Sequence, residues 1–212
     1  MRTVIKYSRK GDTRYISHLD MQRAFARALR RSGLPVAYSE GYNPHIVMSF
    51  ASPLSVGFAT EGDYLEVKMA EDVEPGYIKD RLAAVMPEGI SIIAAGILPD
   101  TCKKLMSLNA QADYRIDFSR DITGKAEELF GQESITVEDR KGRDKDIRPL
   151  IIDYKAEGQS LYVTLSNSSE KTLNPALIVR ALGEDPGSVL ITRLECYARR
   201  GDSVVPLSDL AE

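Results

Sequence analysis

The chain has 212 residues, 43% of them hydrophobic and 28% charged, with a formal net charge of −3. That is the composition of a soluble globular protein with enough apolar material for one large domain or two small ones. No stretch approaches eighteen consecutive apolar residues, and no apolar run with a small-residue cleavage site opens the chain. Neither a membrane span nor a secretory signal is therefore expected, and the expected location is the cytoplasm.

The opening MRTVIKYSRK alternates as a strand, and Gly11-Asp12-Thr13 reads as a turn. Ser17 is placed as an N-cap with Asp20 three positions on, and Gly33 followed by Pro35 stops the helix it opens. At 100° per residue, His18, Met21, Phe25, Ala28 and Leu29 share the core stripe of that helix. Asp20, Arg23, Arg27, Arg30 and Arg31 share the opposite face. Val36–Tyr38 and Ile46–Phe50 read as short strands around the loop SEGYNPH, and Asp63–Met69 as another. Pro75 starts a second helix with Ile78, Leu82 and Val85 on one face, and Ile90–Ala94 is a strand.

After the less regular LPDTCKKLMSLNAQ, a second pass begins. ADYRIDFS is a strand, DITGKAEELFGQ a short helix, and SITVEDR, RPLIIDYKAEG and QSLYVTLSN are strands, the last two joined at Glu157-Gly158. Pro175 starts a last helix, and SVLITRLECYAR closes as a strand. The first pass follows the β-α-β-β-α-β order and the second comes close to it, with one extra strand or a long hairpin in the middle, so the expected fold is α+β, two ferredoxin-like domains in tandem. The expected boundaries are 1–98, a linker at 99–111, and 112–212 with an extended central hairpin.

Charge is uneven along this chain. Residues 1–31 hold nine Lys/Arg against Asp12 and Asp20, a net +7 that leaves −10 for the rest. A basic segment of this kind points to a polyanion, with RNA as the default partner. The loop adds Tyr38, Tyr42 and His45 as stacking rings, Asn43 for a base edge, and Ser39 and Gly41 as backbone donors. Arg14 borders the same region. Arg148, ahead of an apolar strand, is suited to holding a phosphate or carboxylate. The alternating charges from Asp139 through Arg140, Lys141, Arg143 and Lys145 read as a hairpin tip. His18 and His45 are the candidate acid–base residues, His18 also being suited to a packed role on the core face.

Cys102 and Cys196 are isolated, so neither a disulfide framework nor a metal site is expected. The sequence contains no phosphate loop, GxGxxG fingerprint, HExxH or GxSxG, and no cofactor is expected.

The pieces SHLD, LPVAYSEGYNPH, SFASPLSVG and EGDYLE, followed by DIRPLI, give the chain a likeness that spans nearly its whole length. It resembles the radical-SAM-linked bacterial protein family of unknown function, whose domain also occurs fused to cobalamin-binding radical-SAM proteins. With no enzyme domain ahead of it, the chain is expected to be the stand-alone form. Where relatives tend to carry Pro and a basic residue after the loop histidine, this chain has Ile46-Val47. The resemblance implies a radical-SAM protein as partner and a link to RNA or the ribosome. Three functions follow as expectations: an RNA-binding accessory that presents its substrate to a radical-SAM enzyme, a docking subunit without RNA contact, and a metal-independent ribonuclease using His18 or His45.

Overall fold

Every residue of strand β1 (Arg2–Arg9) is buried or half-buried, polar ones included, because both of its faces are covered. The computed structural model describes residues 1–138, 142–201 and 203–211. After β1 a 3-10 turn (Gly11–Tyr15) leads to α1 (His18–Ser32). Ser17 Oγ accepts the Asp20 backbone N–H at 3.2 Å, which satisfies one of the helix's free donors. Gly33, at φ 71°, ends the helix in the left-handed region that glycine adopts without steric cost.

The elements β2 (Met48–Phe50), β3 (Ala59–Lys68), α2 (Pro75–Ala83) and β4 (Ile90–Leu98) complete the first half. The second half runs α3 (Leu105–Leu108), β5 (Asn109–Asp117), α4 (Thr123–Phe130), β6 (Thr136–Glu138), β7 (Asp144–Asp146), β8 (Ile151–Glu157), β9 (Ser160–Ser166), α5 (Ala176–Ala181), β10 (Leu190–Arg200) and β11 (Ser203–Pro206). The fold is α+β, built on a large mixed sheet.

One sheet runs through both halves in the order β4-β1-β3-β10-β5-β9-β8, with β2 added to β3 and β11 to β10. The first half contributes β4-β1-β3-β2 and the second β10-β5-β9-β8, antiparallel throughout. The halves join through a short parallel contact of β3 and β10, with Thr192 opposite Ala59 and Arg193 opposite Thr60. Segment 99–111, expected as a linker, includes α3 and the start of β5.

The structure corrects three local expectations. Val36 and Tyr38 form isolated bridges to Met69 and Ile46 rather than a strand. Of the expected SITVEDR strand, β6 lies outside the main sheet and, among the described residues, pairs with β7 in a separate ribbon. The β8–β9 turn is Gly158-Gln159, because Glu157 already pairs with Ser160. Gly158, at φ 60°, takes the first turn position, where the twist of a two-residue hairpin requires a positive φ.

Helices α1, α2, α4 and α5 lie on one face of the sheet. Under α1 and α2, Ile5, Leu65 and Val67 meet Phe25, Leu29, Ile78 and Leu82. Under α4 and α5, Ile116, Leu161 and Leu165 meet Phe130, Ile178 and Val179. Between these two cores, on the same face, the protein buries charge. Arg193 and Asp63 pair at 2.7 Å with side-chain exposures of 1% and 3%. On the other face, Leu105 and Leu207 cover the first half of the sheet and are fully buried.

Candidate nucleic-acid interface

The amphipathic period of α1 places Met21, Phe25, Ala28 and Leu29 in the core, and Arg23, Arg27, Arg30 and Arg31 are exposed. At the N-terminal end Asp20 takes a hydrogen bond from Ser17 Oγ at 2.7 Å and one from Arg23 at 3.0 Å. Both hold its carboxyl below the usual range, Ser17 contributing most. Arg31 donates to Val85 O at 2.6 Å and so ties α1 to the end of α2. The side chains of Arg27 and Arg30 make no hydrogen bond or ion pair among the described residues. Asp20 feels the charge of Arg27 at a distance, without an ion pair between them.

The loop after α1 is a closed hairpin tip. Ser39 N–H donates to His45 O at 2.8 Å, and His45 N–H returns to Ser39 Oγ at 3.1 Å. Ser39 Oγ also lies 2.9 Å from His45 Nδ1. Ser39 and His45 therefore hold each other, and the residues between them project. Tyr42 is fully exposed, Asn43 beside it is exposed, and Tyr38 is 47% exposed at the base.

The remaining candidates separate. The His18 ring stands edge-on to Phe50 at 5.2 Å, and its Nε2 is 3.3 Å from Gln22 Nε2. No hydrogen bond or ring contact joins His18 to His45. Arg14 sits in the 3-10 turn, donates to Tyr15 OH at 2.7 Å and lies over that ring. Arg148 lies in a 3-10 turn (Arg148–Leu150) rather than leading straight into a strand, and its Nη1 approaches Ile151 O at 3.4 Å. Asp139, Arg140 and Lys141 of the expected hairpin tip lie outside the described residues.

The +7 of residues 1–31 is not a single basic face. Arg2 pairs with Glu66 and Lys6 with Glu195, while Lys10 pairs with Glu61, each carboxylate brought over by β3 or β10. Arg9 is 3% exposed and donates to Phe58 O at 2.8 Å and Ser55 O at 3.2 Å. Burial lowers its pKa, opposed by Tyr7 and Asp63. The free positive surface contracts to the α1 stripe.

Sequence reasoning missed the loop 51–58 as an organised element. Arg193 holds it through Ser52 Oγ at 3.1 Å and Ser52 O at 3.2 Å, and Arg9 through the two carbonyls above. Asn109 donates to Ala51 O, Asn174 to Ser55 Oγ, and Gly57 N–H to Arg14 O. Both halves of the chain thus fix one eight-residue segment. Burial works against the charge of Arg193, but Asp63, Cys196 and Tyr114 together outweigh it and the guanidinium stays protonated. The available signal was Arg193 among the apolar residues of SVLITRLECYAR.

No curated protein matches the sequence. Two solved structures show a weak likeness. One is a DypB variant in complex with manganese, with a TM-score of 0.24 and 10% identity over 85% of this chain and 82% of that one. The other is DyPB from Rhodococcus jostii RHA1, at 0.24 and 11% over the same shares. A similarity of that size carries no argument about fold or function. Across residues 2–175 the sequence matches the family described as "Uncharacterized protein conserved in bacteria" (DUF2344), and the chain belongs to that family.

Proposed function

We propose that this protein is an RNA-binding accessory that contacts RNA through the exposed face of α1 and the Tyr38–His45 loop and presents it to a radical-SAM enzyme. The observation that carries the reading is the pair Arg27 and Arg30, exposed and unpaired on one helix face. Guanidiniums without an ion-pair partner are free to meet phosphate, and binding releases the counterions of the nucleic acid. Tyr42 and Asn43 add a stacking ring and an amide on a tip held in shape by Ser39 and His45. The strand orders β4-β1-β3-β2 and β10-β5-β9-β8 support reading the halves as two ferredoxin-like units.

A second reading, docking on a radical-SAM protein without RNA contact, is favoured by Leu19. This residue is 54% exposed beside Asp20 at the head of the basic stripe. Salt-dependent binding of cellular RNA by the wild type, weakened in the Arg27→Ala/Arg30→Ala variant, tests the first reading. Absence of binding at low salt sinks it, and co-purification with the radical-SAM protein then becomes the informative experiment.

A further inference from the structure

Between the two halves lies a cavity of about 450 Å³, within the range of small-molecule sites. Arg14 and Tyr15 line it from the first half, together with Val56 of the pinned 51–58 loop. Asn174, Arg180 and Val189 line it from the second half. Two guanidiniums border this space and no carboxylate is among its lining residues.

Two acids follow Arg180 closely, and Asp185 caps the turn whose Pro186 and Gly187 line the cavity. Glu184, one turn beyond Arg180, is held by Arg120 and Lys125. Asp185 accepts the Gly187 N–H at 3.0 Å. Arg180 is exposed, and its side chain makes no hydrogen bond or ion pair among the described residues. Arg14 is fixed on one side by the Tyr15 hydroxyl and ring, while its Nε is buried without a hydrogen-bond partner in the protein. A buried donor left unmade is costly, and a charged one more so. The adjoining wall is rigid, because Arg9, Arg193, Asn109 and Asn174 hold the loop that carries Val56.

We propose that this cavity binds a small phosphate monoester, its phosphate bridging Arg14 and Arg180 and its organic part lying against Val56 and Val189. Two arginine forks match a dianion with three acceptor oxygens better than a single carboxylate. The site goes beyond the RNA reading and shares only Arg14 with it. Arg23, Arg27 and Arg30 take no part.

Calorimetric titration of the full chain tests the assignment, with a nucleoside 5′-monophosphate, its parent nucleoside and inorganic phosphate as probes. The monophosphate is expected to bind saturably, the nucleoside not to bind, and inorganic phosphate to bind at least about tenfold more weakly for want of apolar contact. Arg180→Gln, which breaks no contact within the fold, is expected to weaken monophosphate binding about tenfold or more. Arg180→Lys keeps the charge without the fork and should fall between. Arg27→Ala/Arg30→Ala should bind the monophosphate as the wild type does, and Arg180→Gln should leave the salt slope of RNA binding unchanged. The two readings can therefore fail separately. No saturable binding of the monophosphate, or unchanged affinity in Arg180→Gln, overturns the proposal. Inorganic phosphate as tight as the monophosphate, or binding only by a 5′-phosphorylated RNA, overturns the small-molecule assignment.

Discussion

Asp63 and Arg193 are 130 positions apart in the chain and 2.7 Å apart in the structure, both buried, one from each half. Tyr7 OH, 3.5 Å from Asp63 Oδ2, and Cys196 Sγ, 3.9 Å from Oδ1, stand on the same carboxylate. Asp63→Ala leaves Arg193 charged in a desolvated site. The expected cost is about 3–5 kcal/mol, read as a lower urea midpoint. Asp63→Leu/Arg193→Met removes both charges and should recover most of that loss. A double variant no better than Asp63→Ala would show that the pair specifies the fold beyond its electrostatics.

The same cluster predicts alkaline lability. Burial pushes the Cys196 thiol up to about 12 and the Tyr114 phenol up to about 12, and it raises Tyr7 well above its ordinary value. In the unfolded chain these groups lose their protons first, near their ordinary values, so above about pH 9 the native state holds more protons than the unfolded state. Stability is therefore complete below about pH 9 and falls as pH rises toward 12. The loss reaches on the order of several kcal/mol, since each tenfold difference in proton affinity between the two states contributes about 1.4 kcal/mol. Thermal unfolding from pH 7 to pH 11 measures it, and a midpoint that stays flat across that range contradicts the burial of these groups.

The two thiols should differ in reactivity. Cys196 is fully buried, and at pH 8 only roughly one molecule in ten thousand carries its thiolate. Cys102 is partly exposed, its thiol raised by burial and eased back by Arg2. Ellman's reagent is expected to modify one thiol per native chain and the second only in denaturant. Two equally fast thiols in the native protein would contradict this environment for Cys196.

On the α1 stripe, Arg27→Ala/Arg30→Ala should leave stability within about 0.5 kcal/mol, because neither side chain makes a hydrogen bond or ion pair in the fold. If single-stranded RNA engages both, the slope of log K against log salt should shrink by about 1.4. Full-strength binding with an unchanged slope would move the interface elsewhere.

Helix α1 was legible in the sequence because its signals are local: the 3.6-residue period, the Ser17 cap and the Gly33 stop all lie within seventeen residues. The loop was legible from Gly41, Asn43 and Pro44 for the same reason. The role of Arg9 was not. In an alternating strand with Lys6 and Lys10 nearby it looks like surface, and only the arrival of Ser55 and Phe58 carbonyls buries it. Arg193 was hidden in the same way, since its counter-charge lies in the other half. The basic surplus of residues 1–31 misled because sequence distance conceals Glu61, Glu66 and Glu195, which pairing along β3 and β10 places opposite those cations. His18 lay where its helix period put it, but its partners, Phe50 and Gln22, belong to packing.

The sheet face turned away from the helices is capped over the first half and open over the second, and what it displays there narrows where a partner can sit. Tyr197 and Thr164 both donate to Asp113 at 2.7 Å, Ser160 donates to Asp117 at 2.8 Å, and Arg115 pairs with Asp117 at 3.0 Å. Along the outer strand β8, Asp153 and Glu157 are exposed, and Lys155 stands between them and pairs with Glu157. Polar groups already satisfied by their neighbours offer an incoming molecule little, and charges on a border strand discourage the addition of another strand. This broad open surface is thus a passive one, a side of the molecule that can face solvent without sticking to its copies. Under the RNA reading proposed above, contact is left to the helical side, where Arg27 and Arg30 are exposed.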